Sequence, residues 1–243
     1  MNAAARLLAA LDHTRLEAED TAVTISDWCA AAAAGARPVA VCVYPAHAAA
    51  ARAALDAADA GEIAVAAVAN FPDGEPDPGS ALRDIRVALA AGASEIDLVF
   101  PWRAYRAGDA GAGMRMLGRC REACSGKLLK VILETGELGD LRLTRELSAM
   151  ALDAGADFIK TSTGRTATGA TPEAARAILE CLRERGRGGF KASGGIRSVV
   201  DAMRYLELAD GILGESWATP ATFRIGASSL LGELRVSLAT ATG

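Results

Sequence analysis

The chain has 243 residues, of which 51% are hydrophobic, enough for one large buried core. Its net charge of −4 is spread over interspersed acidic and basic residues, which argues against a nucleic-acid partner. No apolar run approaches the ~20 uncharged residues of a membrane span, and the first residues lack a signal-peptide pattern, so a soluble, cytoplasmic protein without a membrane partner is expected.

Taken in chain order, a short Ala/Leu-rich stretch precedes LDHT (11–14), read as the first strand. Apolar, β-branched runs then recur as VAVCVYP (39–45), IAVAAVANF (63–71), EIDLVF (95–100), LLKVILET (128–135), DFIKTST (157–163) and GFKASGG (189–195). Stretches of helical periodicity separate them, including SALRDIRVALAAG (80–92), TRELSAMALDAG (144–155) and TPEAARAILECLRERG (171–186). Alternating strands and helices predict a parallel sheet with helical crossovers. At this length, close to the ~250 residues typical of the fold, that means a (β/α)8 TIM barrel, a single α/β domain over 1–243 with a short N-terminal helix. LDHT, DGILGE (210–215) and FRIGAS (223–228) compete for the two strands that remain; LDHT is taken as the first and FRIGAS as the eighth, which leaves DGILGE as a connection. Thr171 before Pro172 predicts a capped helix start, Ser198 with Asp201 a capping box, and Gly92 and Gly155 helix ends.

Five scattered cysteines (Cys29, Cys42, Cys120, Cys124, Cys181) and two histidines (His13, His47) supply neither a zinc pattern nor a Ser-His-Asp triad, so no metal site of that kind is expected. The cationic residues are more informative: 22 are arginines and only four are lysines, Lys127, Lys130, Lys160 and Lys191. Lysine can lose its proton and form a Schiff base, and arginine can do neither, so the surviving lysines stand out as chemical candidates. Lys127, in the loop segment SGK, reads as a chance survivor. Asp97, Lys130, Lys160 and Lys191 lie in or near the ends of apolar strands, where barrel active sites form. This pattern fits either a purely structural buried ion network or a reactive amine with an acid/base partner.

Lys160 and Lys191 fall on successive strands. At ~6 Å and an effective dielectric of ~20 they repel by about 3 kcal/mol, and burial acts in the same direction, so one amine is neutral enough to attack a carbonyl. Charge alone does not say which. Asp97 suits proton relay, or neutralisation of Lys130 or Lys191. Further on, Ser193-Gly194-Gly195 follows the seventh strand, and Gly226-Ala227-Ser228-Ser229 follows the eighth and opens a helix. These two loops are where barrels commonly bind phosphate, and Arg165 after TSTG adds a cation. Mid-strand Cys42 reads as a small core residue or as a thiol that meets substrate aldehydes.

Over nearly its whole length the chain resembles the deoxyribose-phosphate aldolases, through LDHT, VCVYP, ANFPDG, EIDLVFPWRA, KVILETGEL, AGADFIKTSTG, ATPEAAR, FKASGGIR and FRIGASSLL. The resemblance implies reversible cleavage of 2-deoxy-D-ribose 5-phosphate to acetaldehyde and D-glyceraldehyde 3-phosphate, without a cofactor, in a homodimer. By position it implies Lys160 as the Schiff-base lysine, Lys191 as the group lowering its pKa and Asp97 as the proton relay. Asp12, Thr163 and Arg165 match positions near the sugar, and Gly164, Gly194, Gly195, Gly226, Ser228 and Ser229 match the phosphate site. Two departures stand out: Arg165 replaces a lysine found after STG in some relatives, and the chain stops at ATATG without their terminal tyrosine. Slower protonation of the enamine than in those relatives, or a substitute donor such as water, is therefore expected. A different Schiff-base sugar-phosphate aldolase or transaldolase, and a phosphate-binding barrel with lysines as anion clamps, are the rival readings.

Overall fold

In a computed structural model that describes residues 2–240, eight parallel strands close into a barrel in sequential order. They are β1 (Leu11–Thr14), β2 (Ala40–Val43), β3 (Ala64–Ala69), β4 (Glu95–Val99), β5 (Leu128–Ile132), β6 (Phe158–Lys160), β7 (Gly189–Ser193) and β8 (Phe223–Ala227). Helices α1 (Ala3–Ala9), α2 (Ala22–Ala33), α3 (Ala48–Ala57), α4 (Pro78–Ala90), α5 (Trp102–Arg106) and α6 (Ala110–Ala123) surround the first half. The second half carries α7 (Thr135–Leu138), α8 (Leu141–Asp153), α9 (Pro172–Arg185), α10 (Val199–Leu213) and α11 (Leu230–Thr240). FRIGAS is the eighth strand, whereas most of DGILGE forms the last turn of α10.

The main core lies between the strands and their helices. Each long helix turns an aliphatic residue inward: Ile25, Leu55, Ile85, Leu117, Leu147, Ile178, Leu206 and Leu234 are buried in one cluster with Val41, Val65, Ile96, Val131, Ile159 and Ile225. Alanine on the helix faces lets the helices approach the sheet closely. The expected caps are present: Thr171 accepts from Ala174 N, and Ser198 and Asp201 complete a reciprocal box at α10. No helix among the described residues is long and apolar enough to cross a membrane. The last three residues of the ATATG ending lie outside the described residues.

Side chains on the other face of each strand fill the barrel. Leu16, Cys42, Ala66 and Val68 form a small apolar cluster, with Tyr44 and Phe71 packed against it. Charged residues from β1 and β4 to β8 form a second group inside the barrel, and Phe158 lies beneath it, its ring 5.7 Å from the Arg224 guanidinium.

Candidate active site

Strand register brings the charges together. Asp97 is level with Lys130, Lys160 with Lys191, and Lys191 with Arg224 on neighbouring strands. Asp97 Oδ2 accepts hydrogen bonds from Lys160 Nζ at 2.8 Å and Lys191 Nζ at 2.7 Å, which keeps the two nitrogens within about 5.5 Å of each other. Its Oδ1 accepts from Lys130 Nζ at 2.7 Å. Lys130 is also 2.6 Å from Glu95 and 3.4 Å from Asp12. Lys191 reaches Asp12 Oδ2 at 2.5 Å, and Arg224 donates to Asp12 Oδ1 at 2.7 Å and to both Glu95 oxygens.

Four cations therefore face three carboxylates, all of them buried. Buried charges are tolerated only when paired, and the pairing here is unequal. Lys130 has three carboxylate partners and Lys191 two, whereas Lys160 has only Asp97. Burial opposes the charge on every one of these lysines, but Asp97, Glu95 and Asp12 outweigh it at Lys130, and Asp12 with Asp97 outweighs it at Lys191. Both are held above the ordinary lysine value. At Lys160, burial wins over Asp97, the Lys191 ammonium adds to it, and the amine falls below that value. Asp97 and Asp12 are held low by the surrounding lysines despite their burial, with Arg224 contributing at Asp12.

A cavity of about 240 Å³ opens at the C-terminal ends of the strands. Lys160 lines it, together with Thr163, Gly164, Arg165, Gly194, Gly195, Gly226 and Ser228. Lys130, Lys191, Asp12 and Asp97 lie outside that lining, beneath the cavity in the charge network. Ser229 sits just beyond, its hydroxyl donating to the Arg197 carbonyl at 3.4 Å. The Arg165 guanidinium spans the mouth to the Leu16 carbonyl. Gly226 has a packing role as well: a Cβ there would lie 3.0 Å from Lys191 Cε and 2.9 Å from Ser193 Cβ, so a bare backbone makes room for the Lys191 stem.

Several neighbours were not singled out from the sequence. Glu95 and Arg224 complete the network, and strand parity identifies both, since Glu95 shares a face with Asp97 and Arg224 with Gly226. Thr14, Glu17 and Arg197 line the cavity. Glu134, at the end of β5, is fully buried and accepts hydrogen bonds from the Thr163 and Thr166 hydroxyls. Cys42 does point into the barrel, its Sγ 4.0 Å from Asp97 Oδ2, and burial raises its thiol above the ordinary value. A larger concavity of about 910 Å³ lies at the opposite end, between Lys127, Arg187 and the starts of β5 and β6. It holds no member of the charge network.

A family model described as DeoC/LacD family aldolase matches residues 6–232. Among solved structures, a Toxoplasma gondii protein provisionally named a deoxyribose-phosphate aldolase superposes with a TM-score of 0.90 at 27% identity, covering 98% of this chain and 94% of that one. A similarly named protein of Coccidioides immitis gives 0.83 at 27% identity, covering 96% and 87%. The deoxyribose phosphate aldolase of Aeropyrum pernix, described as a tetramer, gives 0.79 at 26% identity over 98% of this chain and 93% of its own.

Proposed function

The chain belongs to the DeoC/LacD aldolase family, and we propose that as an aldolase it cleaves 2-deoxy-D-ribose 5-phosphate reversibly to acetaldehyde and D-glyceraldehyde 3-phosphate through a Schiff base on Lys160. One observation carries the choice of nucleophile: Lys160 alone among the network lysines both lines the cavity and has a single carboxylate partner. Its lowered pKa makes the free amine available for attack on the substrate aldehyde. Lys191, held as an ammonium by Asp12 and Asp97, supports that neutral state by repulsion.

The sequence of steps is then as follows. The Lys160 amine adds to C1 of the open-chain sugar, and the carbinolamine loses water to give an iminium ion. Removal of the proton on the C3 hydroxyl breaks the C2–C3 bond, releases D-glyceraldehyde 3-phosphate and leaves the bonding electrons on C2 as an enamine. Protonation at C2 and hydrolysis of the iminium return acetaldehyde and the free amine. Asp97, bonded to both Lys160 and Lys191, relays protons at the carbinolamine and at the hydroxyl. Asp12 orients Lys191 from below.

The substrate's phosphate is placed on the loops after β6, β7 and β8. Gly164, Gly194, Gly195, Gly226 and Ser228 border the cavity there, with Thr163 and Arg165 on its rim and Ser229 at the edge of the cradle. Exposed backbone at glycine and the start of α11 suit an anion. The partners of the protein are then small aldehydes and sugar phosphates, and the resemblance supports a homodimer where the Aeropyrum pernix protein is a tetramer.

Borohydride reduction with acetaldehyde tests the assignment. It is expected to add one ethyl group to Lys160, found by peptide mapping, and Lys160→Leu is expected to abolish it. An adduct on Lys191, or none, overturns the reading. An adduct with dihydroxyacetone in preference to acetaldehyde would point instead to an aldolase of longer donors.

A further inference from the structure

Glu134 is buried, carries charge-capable oxygens beside the reactive lysine, and takes no part in the ion-pair network or in the steps above. Its backbone has φ 56° and ψ 56°, a left-handed conformation that a side chain other than glycine adopts at a cost. The chain turns sharply there from β5 into α7, and both flanks of the turn are tied to β6 and the segment after it. Leu133 N donates to the Lys160 carbonyl at 3.0 Å, and Thr135 N donates to the Thr161 carbonyl at 2.9 Å.

From this turn the carboxylate reaches across to the loop that follows Lys160. Oε2 accepts from the Thr163 hydroxyl at 2.5 Å, and Oε1 accepts from Thr163 N and the Thr166 hydroxyl at 3.2 Å each. The Thr163 hydroxyl in turn accepts from Arg165 N at 3.0 Å. A continuous chain of hydrogen bonds therefore runs from Glu134 through Thr163 to the backbone of Arg165. It crosses the segment that connects Lys160 to Gly164 and Arg165 on the rim of the cavity.

We propose that Glu134 is a positioning residue that fixes the separation between the Lys160 amine and the anion-binding loops, and so sets the preference for phosphorylated over unphosphorylated substrates. The inference rests on the phosphate reading given above. A carboxylate suits the task because it only accepts, and both of its oxygens here accept from donors of the loop. Burial raises the Glu134 carboxyl above its ordinary value, while the Thr163 and Thr166 donors and the nearby Lys160 hold it down, so the clamp is strongest when ionised. The left-handed turn is what aims the side chain sideways along the strand ends instead of into solvent.

The decisive measurement compares kinetics on 2-deoxyribose 5-phosphate and on 2-deoxyribose for the wild type, Glu134→Gln and Thr163→Val. Glutamine keeps the shape of the side chain but replaces one accepting oxygen with an NH2 group that then faces a loop donor. Both variants are expected to lower the ratio of kcat/KM for the phosphorylated over the unphosphorylated sugar by about tenfold, mainly through KM. Acetaldehyde is still expected to be trapped on Lys160 in both variants, which reports that each folds and keeps its reactive amine. The double variant should be no worse than either single one, because both break the same chain of bonds. If Glu134→Gln fails to fold, Thr166→Val, which removes a Glu134 contact at a residue that does not line the cavity, decides the outcome. Equal losses on both sugars, or an unchanged ratio, overturn the inference while leaving the phosphate reading intact. A wild type that does not prefer the phosphorylated sugar overturns both.

Discussion

At Lys160 and Lys191 two lysines on neighbouring strands share one carboxylate oxygen and yet are pushed in opposite directions, because only Lys191 has a second carboxylate. Removing the Lys191 ammonium acts on Lys160 in two ways with one sign: the repulsion is lost, and Asp97 becomes a fuller partner. Lys191→Met is therefore expected to move the inflection in the pH profile of Schiff-base formation up by about one unit or more, towards the ordinary lysine value near 10.4. In the wild type that inflection should fall below this value. A profile that Lys191→Met leaves in place would remove Lys191 from the tuning role.

Which residues were legible at this scale follows from chemistry more than from pattern. Lysine is so scarce that Lys130, Lys160 and Lys191 stood out, and Asp97 stood out as a carboxylate inside an apolar strand. Arg224 was hidden by the opposite circumstance, since one arginine among 22 draws no suspicion. Glu134 was hidden because ETGEL looks like an ordinary helix start, and nothing in the string shows a left-handed turn at a glutamate. Repulsion alone left Lys160 and Lys191 equivalent; the resemblance singled out Lys160, and the placement of Asp12 and of the cavity supplies a physical reason for that choice.

Among the elements, strands and caps follow from local preference, while strand lengths do not. Only Phe158–Lys160 of the DFIKTST run pairs as strand, because the chain then leaves the sheet to shape the cavity rim. DGILGE is apolar enough for a strand, but its residues continue the inward stripe of α10, and helix packing decides. Caps give the element scale its own test. Thr171→Ala removes the acceptor for Ala174 N at the start of α9, which costs about 1 kcal/mol and should lower Tm by about 2–4 °C. Differential scanning calorimetry reads this directly, and an unchanged Tm would mean that tertiary packing alone holds that helix end.

For the whole molecule, the buried charges make stability depend on pH over two separate windows. Asp12 and Asp97 have depressed pKa values in the folded state, so their contribution is complete above the unfolded value of about 4 and is lost as pH falls below it. His13 acts earlier. Its ring is stacked on Trp28 at 4.5 Å, and burial lowers its pKa to about 4, against 6.5 for an unperturbed ring. The unfolded chain thus takes up this proton first, and stability declines as pH falls from about 6.5 to about 4, by at most about 3 kcal/mol. His13→Phe is expected to flatten the stability profile in that window and leave the loss below pH 4 in place. Denaturant titrations from pH 7 to pH 3 separate the two, and an equal slope in both proteins between pH 6.5 and 4 would count against the histidine.

The withdrawal of three lysines into the barrel leaves the outer surface almost without side-chain amines. Among the described residues Lys127 is the one exposed side-chain amine, and it sits at the pole away from the cavity mouth. An ester- or aldehyde-coated bead, too large to enter the cavity and reach Lys160, should therefore find its side-chain amine at that pole. A molecule attached through Lys127 would be held with its cavity mouth facing the solution.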